Sequence, residues 1–255
     1  MRRLVIDTAV IAERNLLRLP REPSLLTAFT IQPIMFVLLF RYVFGGAIRT
    51  DYSNYADFLI PGIIVQNIAF GGFVTALGLN EDLHKGLIDR FRSLPMARAA
   101  VLAGRTLSDV VTNALSMAIL LVVGLIIGFS FNTSFVDAVA GIALLLLFGY
   151  AWSWFFAWIG LLVKSAESAN SVGFIAVFPL TFVSSAFVPV STFPSALRAF
   201  ARVNPFTLMV NAMRYLWQHG PGVGASNVWW SLLWIAGIFL VFAPVAVARY
   251  RRATN

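Results

Sequence analysis

Long apolar windows dominate this chain, and they constrain its fold more than any other feature. Stretches of about 20 nearly uncharged residues recur along the sequence, and each can cross a hydrocarbon layer of about 30 Å. Hydrophobic residues make up 59% of the 255 residues and charged residues 12%, whereas soluble globular proteins carry about 25% charged residues. The sequence therefore predicts an all-α integral membrane protein with one transmembrane domain, residues 1–255.

Six transmembrane helices are predicted from these windows. They are placed at residues 25–44, 58–79, 106–128, 138–163, 169–188 and 228–248. An N-terminal amphipathic helix, residues 1–22, precedes them, with Arg3, Asp7 and Arg14 on its charged face, and such a helix is typical of a membrane surface. Prolines and arginines interrupt residues 189–227, so we expect an outer re-entrant helical hairpin and loop there instead of another crossing.

The distribution of basic residues predicts the orientation of the chain. Six crossings place both termini on one side, and that side receives 14 of the 19 Lys and Arg residues. The other side receives Arg41, Arg49, Arg198, Arg202 and Arg214. Cytoplasmic loops carry the excess of basic residues in membrane proteins. Both termini and residues 80–105 are therefore predicted to be cytoplasmic, and the net charge of +8 is assigned to topology, with no nucleic-acid partner expected.

Residues 80–98 form a polar interruption between the second and third predicted spans. Glu81 and Lys85 stand four residues apart in the order that favours an ion pair on a helix. Gly86 weakens the middle of this helix, and Pro95 ends it. A charged helix between two membrane spans is expected to contact a partner in water.

Several kinds of chemistry are missing from the sequence. The only lysines, Lys85 and Lys164, are not preceded by the glycine that a phosphate-binding loop requires. Cysteine is absent, so no thiolate metal site or cysteine nucleophile is possible. His84 and His219 fall on opposite sides of the predicted membrane and cannot share a metal. No catalytic residue, metal site or bound cofactor is predicted in this chain.

Two features of the third predicted span were open to more than one interpretation. Asp109 is interpreted as an interfacial acid near a cytoplasmic helix start, where the helix dipole stabilises it, with a role in gating or coupling as the alternative. Gly124 and Gly128 are interpreted as a site of close helix packing within the chain, with a dimer face as the alternative.

The order of the segments and several short motifs resemble a known family. The motifs are Glu81-Asp82, Gly86-Leu87, Asp89-Arg90 and Ser93-Leu94-Pro95-Met96, then Phe187-Val188-Pro189, Phe193-Pro194, Asn204-Pro205-Phe206 and Arg214. Their order and spacing resemble the transmembrane subunit of a type-2 ATP-binding-cassette exporter, in the daunorubicin-resistance permease branch. The resemblance covers essentially the whole chain.

This resemblance implies that residues 80–98 are a coupling helix seated in a cleft of a cytoplasmic ATPase. The implied ATPase contacts are Glu81, Asp82, Lys85, Gly86, Leu87, Asp89, Arg90, Phe91, Arg92, Leu94 and Pro95. It also implies two ATPase copies, which bind the ATP and Mg, and two permease chains, either identical or paralogous. Because the ATPase is a separate chain, the permease itself is not expected to be an enzyme.

The resemblance further implies a substrate pathway at the dimer seam and an outer gate. Candidate seam residues are Gln32, Phe36, Phe40, Arg41, Phe174 and Phe178. Candidate gate residues in the outer hairpin are Pro189, Phe193, Pro194, Asn204, Pro205 and Arg214. The expected function is export of hydrophobic or amphiphilic compounds, drug or lipid, across a bacterial cytoplasmic membrane. The alternatives are export of a lipid-linked glycan, or a membrane scaffold that docks a cytoplasmic partner through residues 80–98.

Overall fold

The computed structural model describes residues 2–18, 23–84 and 98–253. All regular secondary structure in these ranges is helical, which confirms the all-α prediction for them. The helices are α1 (Arg2–Arg18), α2 (Pro23–Leu38), α3 (Tyr55–His84), α4 (Arg98–Ile126), α5 (Phe135–Leu162), α6 (Ala166–Phe182), α7 (Ser195–Val203), α8 (Pro205–Gln218) and α9 (Ala225–Ala253). A π-helix, Leu39–Phe44, continues α2, and a 3-10 turn, Val190–Thr192, precedes α7.

Four of these helices can span a membrane by length and composition, namely α3, α4, α5 and α9. They coincide with the second, third, fourth and sixth predicted spans. The first predicted span corresponds to α2 with its π-helical extension, and the fifth corresponds to α6. Helix α6 has 17 residues and ends at Phe182, because the chain leaves helical geometry at Val183 and then turns. Six crossings therefore remain a prediction. Four of them correspond to helices that are long enough to span a membrane in the described residues.

Helix α3 lies at the centre of the fold. It packs against α2, α4, α5, α6 and α8, and 83% of its apolar window is buried inside the chain. The corresponding values for α4, α5 and α9 are 33%, 39% and 28%. Polar side chains within a membrane helix tend to face protein rather than lipid, and α3 carries Asn67, Thr75 and Asn80, which are buried and bonded to neighbouring helices. The outer faces of the other three helices are left for lipid or another chain.

Small residues let neighbouring backbones approach α3 closely. A Cβ atom at Gly62 would collide with the backbone carbonyl of Ala186, in the segment that follows α6. Gly160 of α5 lies in the same way against the backbone of Ala76. Backbones that approach this closely are typical of packing between membrane helices.

Substitution of Gly62 by alanine is expected to destabilise the protein by roughly 1–3 kcal/mol, because the added methyl group forces α3 away from Ala186. The matched control is Gly237→Ala on α9, where no atom lies within 4 Å of the added Cβ. That change should be neutral or stabilise the helix by up to about 1 kcal/mol. Thermal unfolding of both purified variants in detergent measures the difference. Equal transition midpoints would show that the close approach at Gly62 is unimportant.

Gly124 and Gly128 have different structural roles. Gly124 lies against Ile60 of α3, so it packs within the chain, as interpreted from the sequence. Gly128 follows the end of α4 with a φ of +102°, a conformation that favours glycine and ends the helix.

Helix α1 packs along α4. Its residues Ile11 and Ala12 are buried, and Gly104 of α4 lies against Ile11 and the carbonyl of Thr8. A helix is therefore present within the predicted amphipathic segment, and it ends at Arg18 in the described part of the chain. Its association with a membrane surface remains a prediction.

Candidate functional site

A cavity of about 500 Å³ lies between α2, α3 and α6. Its lining combines aromatic and aliphatic side chains with four carboxamides. The lining residues are Gln32, Pro33, Phe36, Ile63, Gln66, Asn67, Phe70, Phe73, Leu77, Asn170, Phe174, Phe178 and Phe182. Pockets for small molecules typically have volumes of about 300–1,000 Å³, apolar walls and few polar groups. This cavity has the size and the composition of such a pocket.

A row of phenylalanine rings forms one wall of the cavity and continues beyond it. Phe174, Phe178 and Phe182 recur every four residues on α6, with ring centroids 4.7 and 4.2 Å apart. The row continues through Phe187 to Phe40 of the π-helix, at 5.3 and 4.5 Å. These separations lie at or near the range of favourable aromatic pairs. The wall therefore offers a surface on which a flat apolar molecule can stack.

The carboxamides supply the polar groups of the cavity. Asn67 is buried, and its Nδ2 donates a hydrogen bond to Oγ of Ser116 at 3.0 Å. Gln66 is half-buried, whereas Gln32 and Asn170 are exposed at the cavity mouth. Each carboxamide can both donate and accept hydrogen bonds. They can orient a ligand without requiring it to carry a charge.

The structure brings together four of the six residues predicted for the seam. Gln32, Phe36, Phe174 and Phe178 all line the cavity. Phe40 lies beside the cavity, 6.1 Å from Phe36 between ring centroids. Arg41, on the π-helix, is not among the lining residues.

Sequence reasoning missed the contribution of α3 to this cavity. The missed lining residues that carry polar or aromatic groups are Gln66, Asn67, Phe70, Phe73, Asn170 and Phe182. A signal was present, because adjacent carboxamides in an apolar window tend to face protein or water rather than lipid. On α6, lining residues recur every four positions from Asn170 to Phe182, so they lie on one face of that helix.

The C-terminal end of α3 is joined to two other helices by an ion pair. The Asp82 carboxylate accepts a hydrogen bond from Nη1 of Arg105 on α4 at 3.1 Å. Nη2 of Arg14 on α1 lies 3.6 Å from the same oxygen. Both Asp82 and Arg105 are buried, and Nη2 of Arg105 also donates to the carbonyl of Val74 at 3.1 Å. This cluster fixes α1, α3 and α4 relative to one another.

The resemblance implied that Asp82 contacts the ATPase, and that role remains a prediction. In the described structure its buried carboxylate is bonded to Arg105 and lies near Arg14. A buried charge requires a partner of opposite charge, and Arg105 supplies it. This pair positions the end of α3.

The predicted coupling helix begins inside α3. Glu81 is half-buried in the last turn of that helix. The preceding Asn80 donates hydrogen bonds to the carbonyls of Gly160 and Val163 at 3.4 and 2.9 Å, which ties α3 to the end of α5. The other predicted contacts lie outside the described residues, and their role remains a prediction. They are Lys85, Gly86, Leu87, Asp89, Arg90, Phe91, Arg92, Leu94 and Pro95.

Helix α4 carries a polar stripe that sequence reasoning misjudged. Arg105, Asp109 and Asn113 recur every four residues and are all buried. Asp109 accepts a short hydrogen bond from the hydroxyl of Thr75 on α3. The interpretation of Asp109 as an interfacial acid at a helix start is therefore wrong, because it lies three turns inside α4 and bonds to a neighbouring helix. The four-residue spacing was the signal for a shared buried face.

Asn204 connects two helices of the predicted outer hairpin. Its side-chain oxygen accepts a hydrogen bond from the backbone N–H of Phe206 at 2.9 Å, which caps the start of α8. Its Nδ2 donates to the carbonyls of Leu180 and Val183 at 2.7 and 2.8 Å. Pro205 occupies the first position of α8, where proline is favoured. The Asn204 side chain thus forms hydrogen bonds with backbone groups at both the end of α6 and the start of α8.

Arg214 of α8, one of the candidate gate residues, is buried, and its role in a gate remains a prediction. Its Nε and Nη2 donate to the carbonyl of Phe58 at 3.1 and 2.6 Å, and Nη2 also donates to that of Ser185 at 2.9 Å. The guanidinium lies 3.6 Å from the centroid of the Phe58 ring, a cation–π contact. Burial raises the pKa of the nearby Tyr52 phenol, so it stays neutral.

The remaining gate candidates precede or begin α7. Pro189 and Pro194 flank the 3-10 turn and its C-cap residue Phe193. The carbonyl of Phe193 accepts hydrogen bonds from Nε and Nη2 of Arg198 at 3.1 and 2.8 Å. These residues shape the connection between α6 and α7, and their function as a gate remains a prediction.

The described structure thus combines four helices that are long and apolar enough to cross a membrane with a cavity of about 500 Å³ between α2, α3 and α6. The pattern of the ABC-2 type transporter family matches residues 7–217. The chain therefore belongs to the ABC-2 type transporter family and is a permease-type membrane subunit of an ABC transporter. Permeases of this family work with a cytoplasmic ABC ATPase.

Curated relatives agree with this assignment. The daunorubicin resistance ABC transporter permease protein DrrB1 of Streptomyces coeruleorubidus is 34% identical over 93% of this chain and 83% of its own length. The probable doxorubicin resistance permease DrrC of Mycobacterium tuberculosis is 25% identical over 100% of this chain and 91% of its own length. The putative transport permease ycf38 of Cyanophora paradoxa is 25% identical over 86% and 77%, respectively.

Proposed function

We propose that this chain is the transmembrane subunit of an ATP-driven exporter of hydrophobic or amphiphilic compounds. The observation that carries the proposal is the cavity between α2, α3 and α6, with its phenylalanine wall and its carboxamides. Two relatives are named for resistance to daunorubicin and doxorubicin, which are flat aromatic compounds with polar substituents. Stacking on Phe174 and Phe178, with hydrogen bonds to Gln66 or Asn170, suits a molecule of that kind.

A second permease chain is proposed to close the open side of the cavity. The exposed apolar residues of α2 and its π-helical extension include Ile31, Met35, Leu39 and Val43. Helix α6 presents Ile175 and its phenylalanines beside them. Another copy of this chain, or a paralogue, would bury these surfaces and bring two cavities together at the seam.

ATP-driven motion is proposed to enter the permease at the end of α3. Helix α3 has 30 residues and therefore a length of about 45 Å, and the same helix lines the cavity. Two copies of a cytoplasmic ATPase, which bind ATP and Mg, would push the segment at residues 80–98. The pair of Asp82 and Arg105 would transmit that displacement to α4, and the substrate would leave outward. This orientation places both termini in the cytoplasm of a bacterial cell.

The two alternative functions explain fewer features of the molecule. A scaffold that only docks a partner through residues 80–98 does not require a cavity lined by aromatic rings and carboxamides. A lipid-linked glycan exporter needs a wide channel, whereas a cavity of about 500 Å³ has the size of a drug-binding pocket. We therefore favour a small amphiphile as the substrate.

The double substitution Phe174→Ala and Phe178→Ala tests the cavity. We expect it to raise the substrate concentration for half-maximal stimulation of ATP hydrolysis about tenfold, since each stacking contact contributes about 0.5–1.5 kcal/mol. The assay uses the permease purified with its ABC ATPase, with daunorubicin as the flat aromatic probe. The control is Phe135→Ala, a phenylalanine exposed at the start of α5. An unchanged response of the double variant would refute the cavity as the substrate site.

A further inference from the structure

Two cavities adjoin each other where α7, α8 and α9 meet. The first, of about 330 Å³, is lined by Val190, Ser191, Arg198, Arg202, Thr207, Asn211 and Asn227. We call it the polar cavity. The second, of about 530 Å³, is lined by Arg202, Val203, Leu208, Trp230, Leu233 and Trp234. We call it the apolar groove. Arg202 lines both, so the two spaces adjoin each other at this residue.

The polar cavity is rich in hydrogen-bond donors. The Thr207 oxygen accepts from the backbone N–H of Ser185 at 3.1 Å, which leaves its hydroxyl hydrogen to donate. The Asn211 Oδ1 accepts from the Ser185 hydroxyl and from Nη1 of Arg214, so its amide nitrogen keeps its two hydrogens. The bonds of Arg198 to the Phe193 carbonyl hold its guanidinium at the cavity.

The charge of the polar cavity is uncompensated by the protein. The residues described around it include two arginines and no aspartate or glutamate. Glu167 is the last acidic residue of the sequence, so α7, α8 and α9 carry none. In the described ranges, neither Arg198 nor Arg202 forms an ion pair. Two neighbouring guanidinium groups and several donors favour an anion, above all a phosphate.

The apolar groove adjoins the polar cavity, and most of its lining is hydrophobic. Trp230, Leu233 and Trp234 of α9 expose large apolar surfaces along it, as does Val203 of α7. Tryptophan is enriched at the level of lipid headgroups in membrane proteins. A ligand that fills both spaces must have an anionic head and an apolar tail.

We propose that the polar cavity and the apolar groove together bind one anionic phospholipid of the bilayer. Its phosphate lies between Arg198 and Arg202, within reach of Asn211, and an acyl chain lies along Trp230 and Leu233. Electrostatic attraction of anionic lipids to basic residues strengthens the binding. The lipid joins α7 and α8 to α9, so it steadies the hairpin. This site is distinct from the cavity of α2, α3 and α6, and it requires no particular direction of transport.

The first test measures lipid binding to the purified full-length protein by native mass spectrometry, with phosphatidylglycerol or phosphatidylcholine added. We expect the wild type to retain phosphatidylglycerol preferentially, and Arg202→Gln to weaken this binding about tenfold, as the loss of one charge-assisted contact predicts. The side chain of Arg202 is exposed and forms no hydrogen bond in the described structure, so the variant should fold normally. The matched control is Arg249→Gln, an exposed arginine at the far end of α9, which should bind like the wild type.

The second test locates the acyl chain and excludes a free anion. Phosphatidylglycerol with brominated chains should quench tryptophan fluorescence in nanodiscs, and Trp230→Phe with Trp234→Phe should reduce that quenching more than Trp229→Phe, which removes a tryptophan outside the groove. Inorganic phosphate at millimolar concentration should not displace the lipid. The proposal is overturned if both lipids bind equally, if Arg202→Gln and Arg249→Gln behave alike, or if phosphate alone displaces the lipid.

Discussion

Replacing Arg214 with methionine is expected to destabilise the protein by about 3 kcal/mol, although methionine fills much of the same volume. The guanidinium is buried and bonds to the carbonyls of Phe58 and Ser185. Its removal leaves the buried Ser185 carbonyl without a described donor, which costs about 1–3 kcal/mol, and it removes the two charge-assisted bonds that the Phe58 carbonyl accepts in addition to its bond within α3. The cation–π contact with Phe58 is also lost. Methionine avoids the free-energy cost of burying a charged group, but this gain offsets only part of these losses.

The measurement is thermal or urea unfolding of the purified permease in detergent. The matched control is Arg49→Met, an exposed arginine in the loop before α3, which should unfold with the wild type. Arg214→Lys should fall between the two, because an ammonium cannot reproduce the planar set of donors. If Arg214→Met and Arg49→Met unfold together, Arg214 does not hold α8 to α3.

Disruption of the predicted coupling segment is expected to abolish transport. Glu81→Arg reverses a charge in the last turn of α3, and Gly86→Pro adds a residue that costs about 3 kcal/mol or more inside a helix. We expect substrate-stimulated ATP hydrolysis and export to fall to background in both variants. Membrane insertion should be unchanged, because neither residue lies in an apolar window.

The control for this loss is Asp51→Arg, an equal reversal of charge in an exposed loop on the predicted outer side. A cytoplasmic ATPase cannot reach that loop, so the variant should keep its stimulated activity. Copurification of the ATPase distinguishes lost docking from lost transmission of force. Full activity of Glu81→Arg and Gly86→Pro would remove residues 80–98 from the coupling mechanism.

The sequence was sufficient to predict most of the architecture. Windows of apolar residues located the four long helices, because length and composition determine whether a helix can cross a membrane. The prolines and arginines of residues 189–227 indicated short helices there, and α7 and α8 are present. The early end of α6 was not predicted, because Ser184 and Ser185 interrupt the apolar run only briefly before Ala186 and Phe187. The turn follows from contacts with other helices, such as the hydrogen bond from the Ser185 N–H to Thr207 of α8.

The candidate site was predicted less completely. Gln32, Phe36, Phe174 and Phe178 were identified through the family resemblance, whereas Gln66 and Asn67 of α3 were missed. A single sequence does not show which faces of helices meet, so the partners of buried polar groups stay hidden. Asp82 and Arg105 pair across 23 positions of sequence, and Asp109 meets Thr75 across 34. Only the packing of α4 against α3 makes these contacts.

The central claim is that this permease exports amphiphilic compounds through the cavity of α2, α3 and α6 with energy from ATP. The most direct measurement is uptake of daunorubicin into inside-out membrane vesicles that contain the permease and its ABC ATPase. The account predicts accumulation that requires ATP and is reduced about tenfold, at subsaturating daunorubicin, by Phe174→Ala with Phe178→Ala, but not by Phe135→Ala. Accumulation that is independent of ATP, or equal in all three proteins, would contradict it.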